Sequence, residues 1–383
     1  MSLEYDLIVV GSGVSGSMTA YRAAQAGLRV AILEKETLPR YKTCGGGLTY
    51  QARQLLPDLP PEVLEYEGYE VDLHFIQQDR TYRVRREQPV VSMAMRANLD
   101  QFIAQQAQNA GAILHDQTRF EGATPTGKGW NVQTSQGKIS TQYIIAADGA
   151  NSLVAKQLGW KKETRLMARA TEYEVYVSPE EQARLSERTR IDFEGIPAGY
   201  AWVFPKRDHL SIGLGMFMGT RKTQKENLHQ RTAEYMDWLG IRSPREVARH
   251  AAQIPVSPRT DGFARQGVFL VGDAAGLADP ITAEGISNAL LSGRWAVEAI
   301  LAAEGESTQA EALYHQQLEQ KLLPSLNKGR KLAWVMYQKP KWRNWLFEQQ
   351  GQRLAENFTD LMMGRRGYPD AKAVLQRIAQ KFF

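Results

Sequence analysis

The sequence predicts an α/β fold: a parallel-sheet domain interleaved with an antiparallel-sheet domain, followed by a helical C-terminal segment. Three observations predict it. Residues 5–34 read as strand, glycine-rich turn, helix and second strand, the last ending in a carboxylate. A second strand and turn followed by a long helix stands at 267–303, about 230 residues beyond the second strand, so the first domain is completed by a distant segment. Between Lys161 and Pro258 the apolar residues alternate as in half-buried strands.

A chain of 383 residues is long enough for two or three domains, or for two interleaved ones. The expected division assigns 1–70, 90–160 and 255–305 to the first domain, 71–89 and 161–254 to the second, and 306–383 to the helical region. The net charge of +5 is spread thinly along most of the chain, without the basic stripe and reading module that nucleic-acid binding requires. A single cysteine excludes an internal disulfide framework and a cysteine-cluster metal site. The six histidines are scattered without ligand spacing, so no metal is expected. No apolar run reaches the ~18 residues of a membrane-spanning helix. Asp6 interrupts the first apolar stretch, which therefore does not read as a signal peptide. The expected location is cytoplasmic, with contact to a membrane only from outside.

Tyr5–Val10 is a short β-branched run and reads as a buried parallel strand. Gly11-Ser12-Gly13-Val14-Ser15-Gly16 follows at once, and the Ala-rich stretch 17–26 reads as a helix stopped by Gly27. In this G-x-G-x-x-G pattern Gly11 permits the tight turn, Gly13 lets backbone approach a pyrophosphate, and Gly16 allows helix to pack closely on strand. The helix N-terminus offers free N–H groups and a positive dipole end to phosphates. Glu34 lies 18 residues beyond Gly16, where a carboxylate takes a ribose 2′-OH and would repel a 2′-phosphate. The unit is thus Rossmann-like, with Gly11, Gly13, Ser15, Gly16, Glu34 and Lys35 as candidate cofactor-binding residues.

Later segments favour FAD over NAD. Cys44, Gly45, Gly46 and Gly47 form a small-residue stretch able to press against a flat ligand. Arg96 opens a helix and is a candidate phosphate partner. Gly272 and Asp273 end a strand, and Gly285-Ile286 begin the helix expected over 287–303. Asp148, after the apolar strand 143–147, is either a direct cofactor contact or the turn and cap of a short helix over 152–158.

Together these motifs resemble FAD-dependent oxidoreductases of the para-hydroxybenzoate hydroxylase fold group. The resemblance rests on the glycine fingerprint with Glu34, the R-x-x-x-D of Arg96 and Asp100, the 145–152 stretch around Asp148-Gly149, Gly272–Gly276, and the Pro280…Glu284-Gly285-Ile286 turn. Within that group the chain is similar to the geranylgeranyl reductase family, through Pro39-x-x-Lys42-x-Cys44-Gly45-Gly46, Gly199-Tyr200-Ala201-Trp202-Val203-Phe204-Pro205-Lys206, and Gly364…Tyr368. It departs at Ala283, where the family has Gly, and at Ala155, where an Arg is usual and Lys156 stands beside. The resemblance implies that Asp273 bonds the ribityl chain and that the N–H groups of Gly285 and Ile286 face the flavin N1/O2 edge. The charge developing on N1 would suit a helix N-terminus.

It also implies that the second domain binds a long isoprenoid chain and that reduced FAD delivers hydride to its double bonds. An apolar substrate needs few polar anchors. Tyr200, Trp202 and Phe204 alternate on one strand and share a face, either as pocket lining or as plain core. Cys44 is a candidate catalytic residue and proton donor; the alternative is a small residue chosen for fit. The competing functions are a flavin monooxygenase of an aromatic or isoprenoid compound and a non-catalytic flavoprotein electron carrier. No second dinucleotide fingerprint appears, so the expected electron donor is transiently bound NADPH or a ferredoxin. Between Lys321 and Trp345 seven cations and three tryptophans occur without an acid. That mixture suits a membrane interface, while the alternative is a helical hairpin split at Pro340 and packed on the second domain.

Overall fold

The computed structural model describes residues 4–217, 225–370 and 374. The end of the expected helical region, 371–373 and 375–383, lies outside them, as does 218–224 within the second domain.

The fold class expected from the sequence is the one observed. An eight-stranded sheet is built on Tyr5–Val10, which pairs in parallel with Val30–Leu33 on one side and Gly137–Ala146 on the other. Ile113–His115 extends it beyond Val30–Leu33, and Val268–Leu270 beyond Gly137–Ala146, both in parallel. The central strands are buried on both faces, which explains their continuous apolar sequences. Phe120–Thr126 and Gly129–Thr134 add an antiparallel extension.

The first helix runs Val14–Gln25, three residues earlier than the sequence reading, because Gly13 is its N-cap and the glycine turn passes directly into it. Ile286–Ala302 lies against it. The approach is close: a Cβ on Gly293 would strike the Thr19 hydroxyl. One core spans both helices and the sheet.

A seven-stranded sheet carries the alternating segments. Met167–Tyr176, Leu210–Met216, Gly199–Pro205 and Thr189–Phe193 lie side by side, with Glu246–Pro255 on one edge and Glu70–Phe75 and Arg80–Arg85 on the other. It is not wholly antiparallel, as its sequence suggested. Thr189–Phe193 and Glu70–Phe75 pair in parallel, because two separate segments of the chain meet there without a hairpin to reverse direction.

Leu323–Gln338 and Pro340–Met362 form the hairpin expected at Pro340, which sits in the first turn of the second helix. Its packing is the second of the two readings of this segment. Phe347 lies on Phe75, with ring centroids 4.7 Å apart, and the Tyr82 hydroxyl donates to the Phe347 carbonyl at 2.7 Å. A buried ion pair, Arg343 to Glu194 at 2.8 Å, ties the hairpin to the loop after Thr189–Phe193. Among the described residues no helix is long and apolar enough to cross a membrane.

Candidate functional site

Two adjoining cavities lie between the sheets. The larger, about 1080 Å³, opens over the glycine turn; the smaller, about 250 Å³, lies against the seven-stranded sheet. Gly13, Lys42, Thr43, Ala147 and Gly149 belong to both walls.

At the nucleotide end Gly11 adopts φ +100° and a Cβ there would stand 2.6 Å from the Ala147 carbonyl oxygen. A Cβ on Gly16 would fall on the Gly11 carbonyl oxygen, so strand, turn and helix fit only without those side chains. Gly13 lines the cavity, and the Ser15 hydroxyl donates to the Ala289 carbonyl at 3.1 Å, joining the two long helices. Glu34 is buried at the end of its strand. Its carboxylate accepts the Ser12 N–H at 3.1 Å, the Ser12 hydroxyl at 2.6 Å and the Arg40 Nε–H at 3.3 Å. Burial alone would raise its pKa, but the Ser12 bonds and the Arg40 charge outweigh that and hold it below the usual carboxylate value. Lys35 stands on the rim, exposed, with its ammonium 3.5 Å from Glu36.

Arg96 opens its helix as expected, but its guanidinium is held by Asp100 at 2.8 Å. Arg40 pairs with the other oxygen of the same carboxylate at 3.0 Å. Both guanidiniums overhang Gly13, within 3.9 Å of where a Cβ would be. Sequence reasoning missed Arg40. Its one signal was position, six residues after Glu34 inside the Pro39–Cys44 segment.

In the middle, Asp148 caps the short helix with one oxygen, which accepts the N–H groups of Leu153 at 2.7 Å and Val154 at 3.0 Å. The other oxygen is buried without a partner and the residue lines the larger cavity; burial raises its pKa. Arg165, also missed, is buried and donates to the carbonyls of Ala150 and Asp273, each at 2.6 Å, clamping the Asp148 and Asp273 turns together. The Gly272 N–H donates to the Ser292 hydroxyl at 3.0 Å. Asp273, Gly285 and Ile286 all line the smaller cavity, and Gly285 is the N-cap of Ile286–Ala302, so that helix end points into it. Glu284 beside it has its carboxyl pushed up to about 7 by burial, although the Ser287 N–H bond opposes this.

On the substrate side Cys44, Gly45, Gly46, Tyr200, Trp202 and Phe204 line the smaller cavity together. The three aromatics are also core: Tyr200 and Trp202 are buried and Phe204 packs on the same cluster, so both readings of this strand hold. The Tyr200 hydroxyl donates to the Thr282 carbonyl, tying the strand to the turn before Gly285. The Trp202 indole N–H is buried without a partner and lies over Gly45. Cys44 is half-buried, and its sulfur accepts the Gly46 N–H at 3.4 Å.

Comparison with known proteins then places the chain. Residues 4–313 match the model of an FAD binding domain family. The chain is 30% identical over 309 residues to a geranylgeranyl diphosphate reductase of Rhodobacter capsulatus, covering 78% of this chain and 76% of the relative. The chain belongs to the geranylgeranyl reductase family of FAD-dependent oxidoreductases. A digeranylgeranylglycerophospholipid reductase of Methanothermobacter thermautotrophicus is also 30% identical to this flavoenzyme, over 78% of its chain and 79% of the relative. The solved structure of a geranylgeranyl bacteriochlorophyll reductase-like protein from Thermoplasma acidophilum shares its fold, with TM-score 0.75 at 22% identity over 99% and 96% of the two chains. The flavoenzyme's residues fit FAD. Gly13 lines the larger cavity without a side chain, two helix N-termini face the cavities, and a buried carboxylate oxygen and indole N–H await partners.

Proposed function

We propose that the protein reduces carbon–carbon double bonds of a geranylgeranyl-type isoprenoid chain. The observation that carries this reading is the small, mostly apolar cavity between Gly45-Gly46 and Trp202–Phe204, meeting the Gly285 helix end and adjoining the nucleotide cavity. Phe217, Phe358 and Met362 extend its apolar wall, which suits a hydrocarbon chain with few polar anchors. The geranylgeranyl substrates in the names of two relatives support the same substrate class.

In this reading Gly11, Gly13, Ser15, Gly16 and the first helix N-terminus bind the diphosphate of FAD. Arg40 and Arg96 lend positive charge from above Gly13, and Glu34 takes the ribose with Lys35 at its rim. Asp148 and Gly272 shape the backbone around the cofactor and Asp273 holds the ribityl chain. The N–H groups of Gly285 and Ile286 stabilise charge at the flavin edge, worth up to about 2 kcal/mol when partly buried. Bound and reduced, the flavin supplies the hydride. Gly45 and Gly46 keep the backbone flat against the ring, Tyr200, Trp202 and Phe204 position the chain, and Cys44 gives the proton. Electrons come from NADPH or a ferredoxin. The protein works as a cytoplasmic enzyme that meets lipid substrates at a membrane surface.

The test is anaerobic. The dithionite-reduced flavoprotein should be reoxidised by geranylgeranyl diphosphate or a geranylgeranyl lipid, with a saturated product. Cys44→Ser should keep FAD but slow this step by about 10²-fold or more. Reoxidation by oxygen alone, with a hydroxylated product, would favour monooxygenation.

A further inference from the structure

The wall of the smaller cavity contains ionisable groups that this reaction has not used. Glu172 stands on the interior strand Met167–Tyr176, is 2% exposed and lines the cavity. One carboxylate oxygen accepts the Tyr41 hydroxyl at 2.7 Å and the other the Ser211 hydroxyl at 2.8 Å. Glu174 projects from the same face of that strand two residues on, and its carboxylate meets His209 Nε2 at 2.7 Å. His209 Nδ1 in turn lies 2.7 Å from the carboxylate of Asp208, whose side chain is 69% exposed. Asp208 and His209 thus lead from solvent to Glu174, and Glu174 lies close enough to Glu172 at the cavity for its charge to act on it.

The groups facing Glu172 come from every neighbouring element. Lys206, buried and donating to the Ala94 carbonyl at 3.1 Å, lies in the field of both glutamates and of Cys44. From the other side His250 stands opposite Glu172 in strand register and stacks on Tyr41, with centroids 4.1 Å apart. Two glutamates on a central strand are costly where apolar residues would pack. Burial, and then the Glu174 charge, raise the Glu172 pKa. Burial lowers that of Lys206. For His209 burial acts downward but the Glu174 and Asp208 bonds prevail and raise it.

We propose that Asp208, His209, Glu174, Glu172 and Tyr41 form a proton route from solvent to the cavity that holds the Cys44 thiol. It rests on the reduction reading above. Saturating a double bond takes two electrons and two hydrogens, of which the protein provides one as a proton. The Cys44 S–H bond breaks as a C–H bond forms, leaving a thiolate that interacts with Arg96. The Tyr41 O–H proton passes to that thiolate while the Glu172 carboxyl restores Tyr41. Glu174, His209 and Asp208 then bring the replacement from solvent, so the resting state returns with one proton consumed.

The test uses the Glu172→Gln flavoprotein with geranylgeranyl diphosphate. A single turnover should run near the wild-type rate, because the route only refills Cys44 after the reduction. Later turnovers should slow by at least about tenfold and gain a solvent deuterium isotope effect. Equal loss in both phases, as a structural role would give, or no loss in either, overturns the route. A second readout needs no turnover: one protonated-carboxyl infrared band of the resting flavoprotein, distinct from that of the buried Glu284 carboxyl, should vanish in Glu172→Gln, and its exchange with deuterated solvent should slow in His209→Gln. A band that persists, or exchange that is unchanged, sinks the route even if prenyl compounds reoxidise the wild type. A wild type that none of them reoxidises, with band and exchange behaving as expected, removes the reduction reading and leaves the route standing.

Discussion

Single residues carry much of the strain and charge in this site. Ala283 stands at φ +55°, in the left-handed region, where the resembling family has glycine. The departure noticed in the sequence therefore has a backbone cost as well as an added methyl. Left-handed geometry costs an L-residue roughly 1–2 kcal/mol, and glycine gives part of this back as unfolded-chain entropy. Ala283→Gly should raise stability by up to about 1 kcal/mol, read from the urea midpoint with FAD bound. Glu284 shows the opposite economy, a carboxyl kept neutral by burial beside a helix N-terminus. Its folded pKa of about 7 lies above the unfolded value, so the native state binds the extra proton between them. That contribution to stability is full below about pH 4.5 and is lost as pH rises toward 7. Glu172 acts in the same direction, whereas Glu34, held below its usual value, loses its contribution in acid. The denaturation midpoint should fall from mildly acidic pH toward pH 8, and Glu284→Gln should flatten the fall. An unchanged slope in that variant would refute the assignment.

At the scale of elements, the helical hairpin shares an apolar cluster with the sheet, and polar contacts within it fix how the two sit. Arg343 and Glu194 are both nearly buried, and Asn344 shares the Glu194 oxygen at 2.8 Å. Burial pulls the Arg343 pKa down, against the opposing pull of the Glu194 carboxylate. Removing one member of such a pair strands the other, at about 3–5 kcal/mol. Arg343→Met should cost that much in chemical denaturation, while the double substitution Arg343→Met with Glu194→Met should recover most of it. Gly351 shows why the hairpin seats where it does, since a Cβ there would collide with the Tyr82 ring. The strand from Gly199 to Pro205 does two tasks at once. Its aromatics fill the core and face the cavity, so truncating one of them disturbs folding together with binding.

Across the whole molecule, two sheets from alternating stretches of chain meet at one cleft. Residues remote in sequence, such as Cys44, Glu172, Trp202 and Gly285, become neighbours only there. The helical hairpin, whose second helix lines the cleft with Phe358 and Met362, carries a basic patch on its exposed side. Trp334 is exposed, Lys339 lies 4.8 Å from its ring centroid and 5.4 Å from that of Trp342, and Lys328, Arg330, Lys331 and Lys341 are exposed nearby. Such a patch should bring the protein down with anionic vesicles in a salt-sensitive way. Trp334→Ala combined with Lys331→Glu should weaken sedimentation and leave the flavin spectrum intact; equal sedimentation would assign the patch to another role.

The sequence by itself determined the nucleotide-binding half. Its glycines, its terminal carboxylate and its two helix starts act through local geometry, and local geometry is legible in a linear pattern. The strand and helix limits shifted by only a few residues, because caps and turns are local too. Sequence also narrowed the alternatives for Asp148, Tyr200–Phe204 and the 321–345 segment without deciding them. Tertiary structure alone showed the Asp148 cap, the buried aromatics of Tyr200–Phe204 and the packing of the hairpin, along with the parallel junction in the second sheet, the placement of Arg40 over Gly13, the Arg165 clamp and the Glu172 network. Each depends on partners dozens to hundreds of residues away. A buried charge or an unpaired polar atom is defined by what surrounds it in space, and no spacing along the chain encodes that.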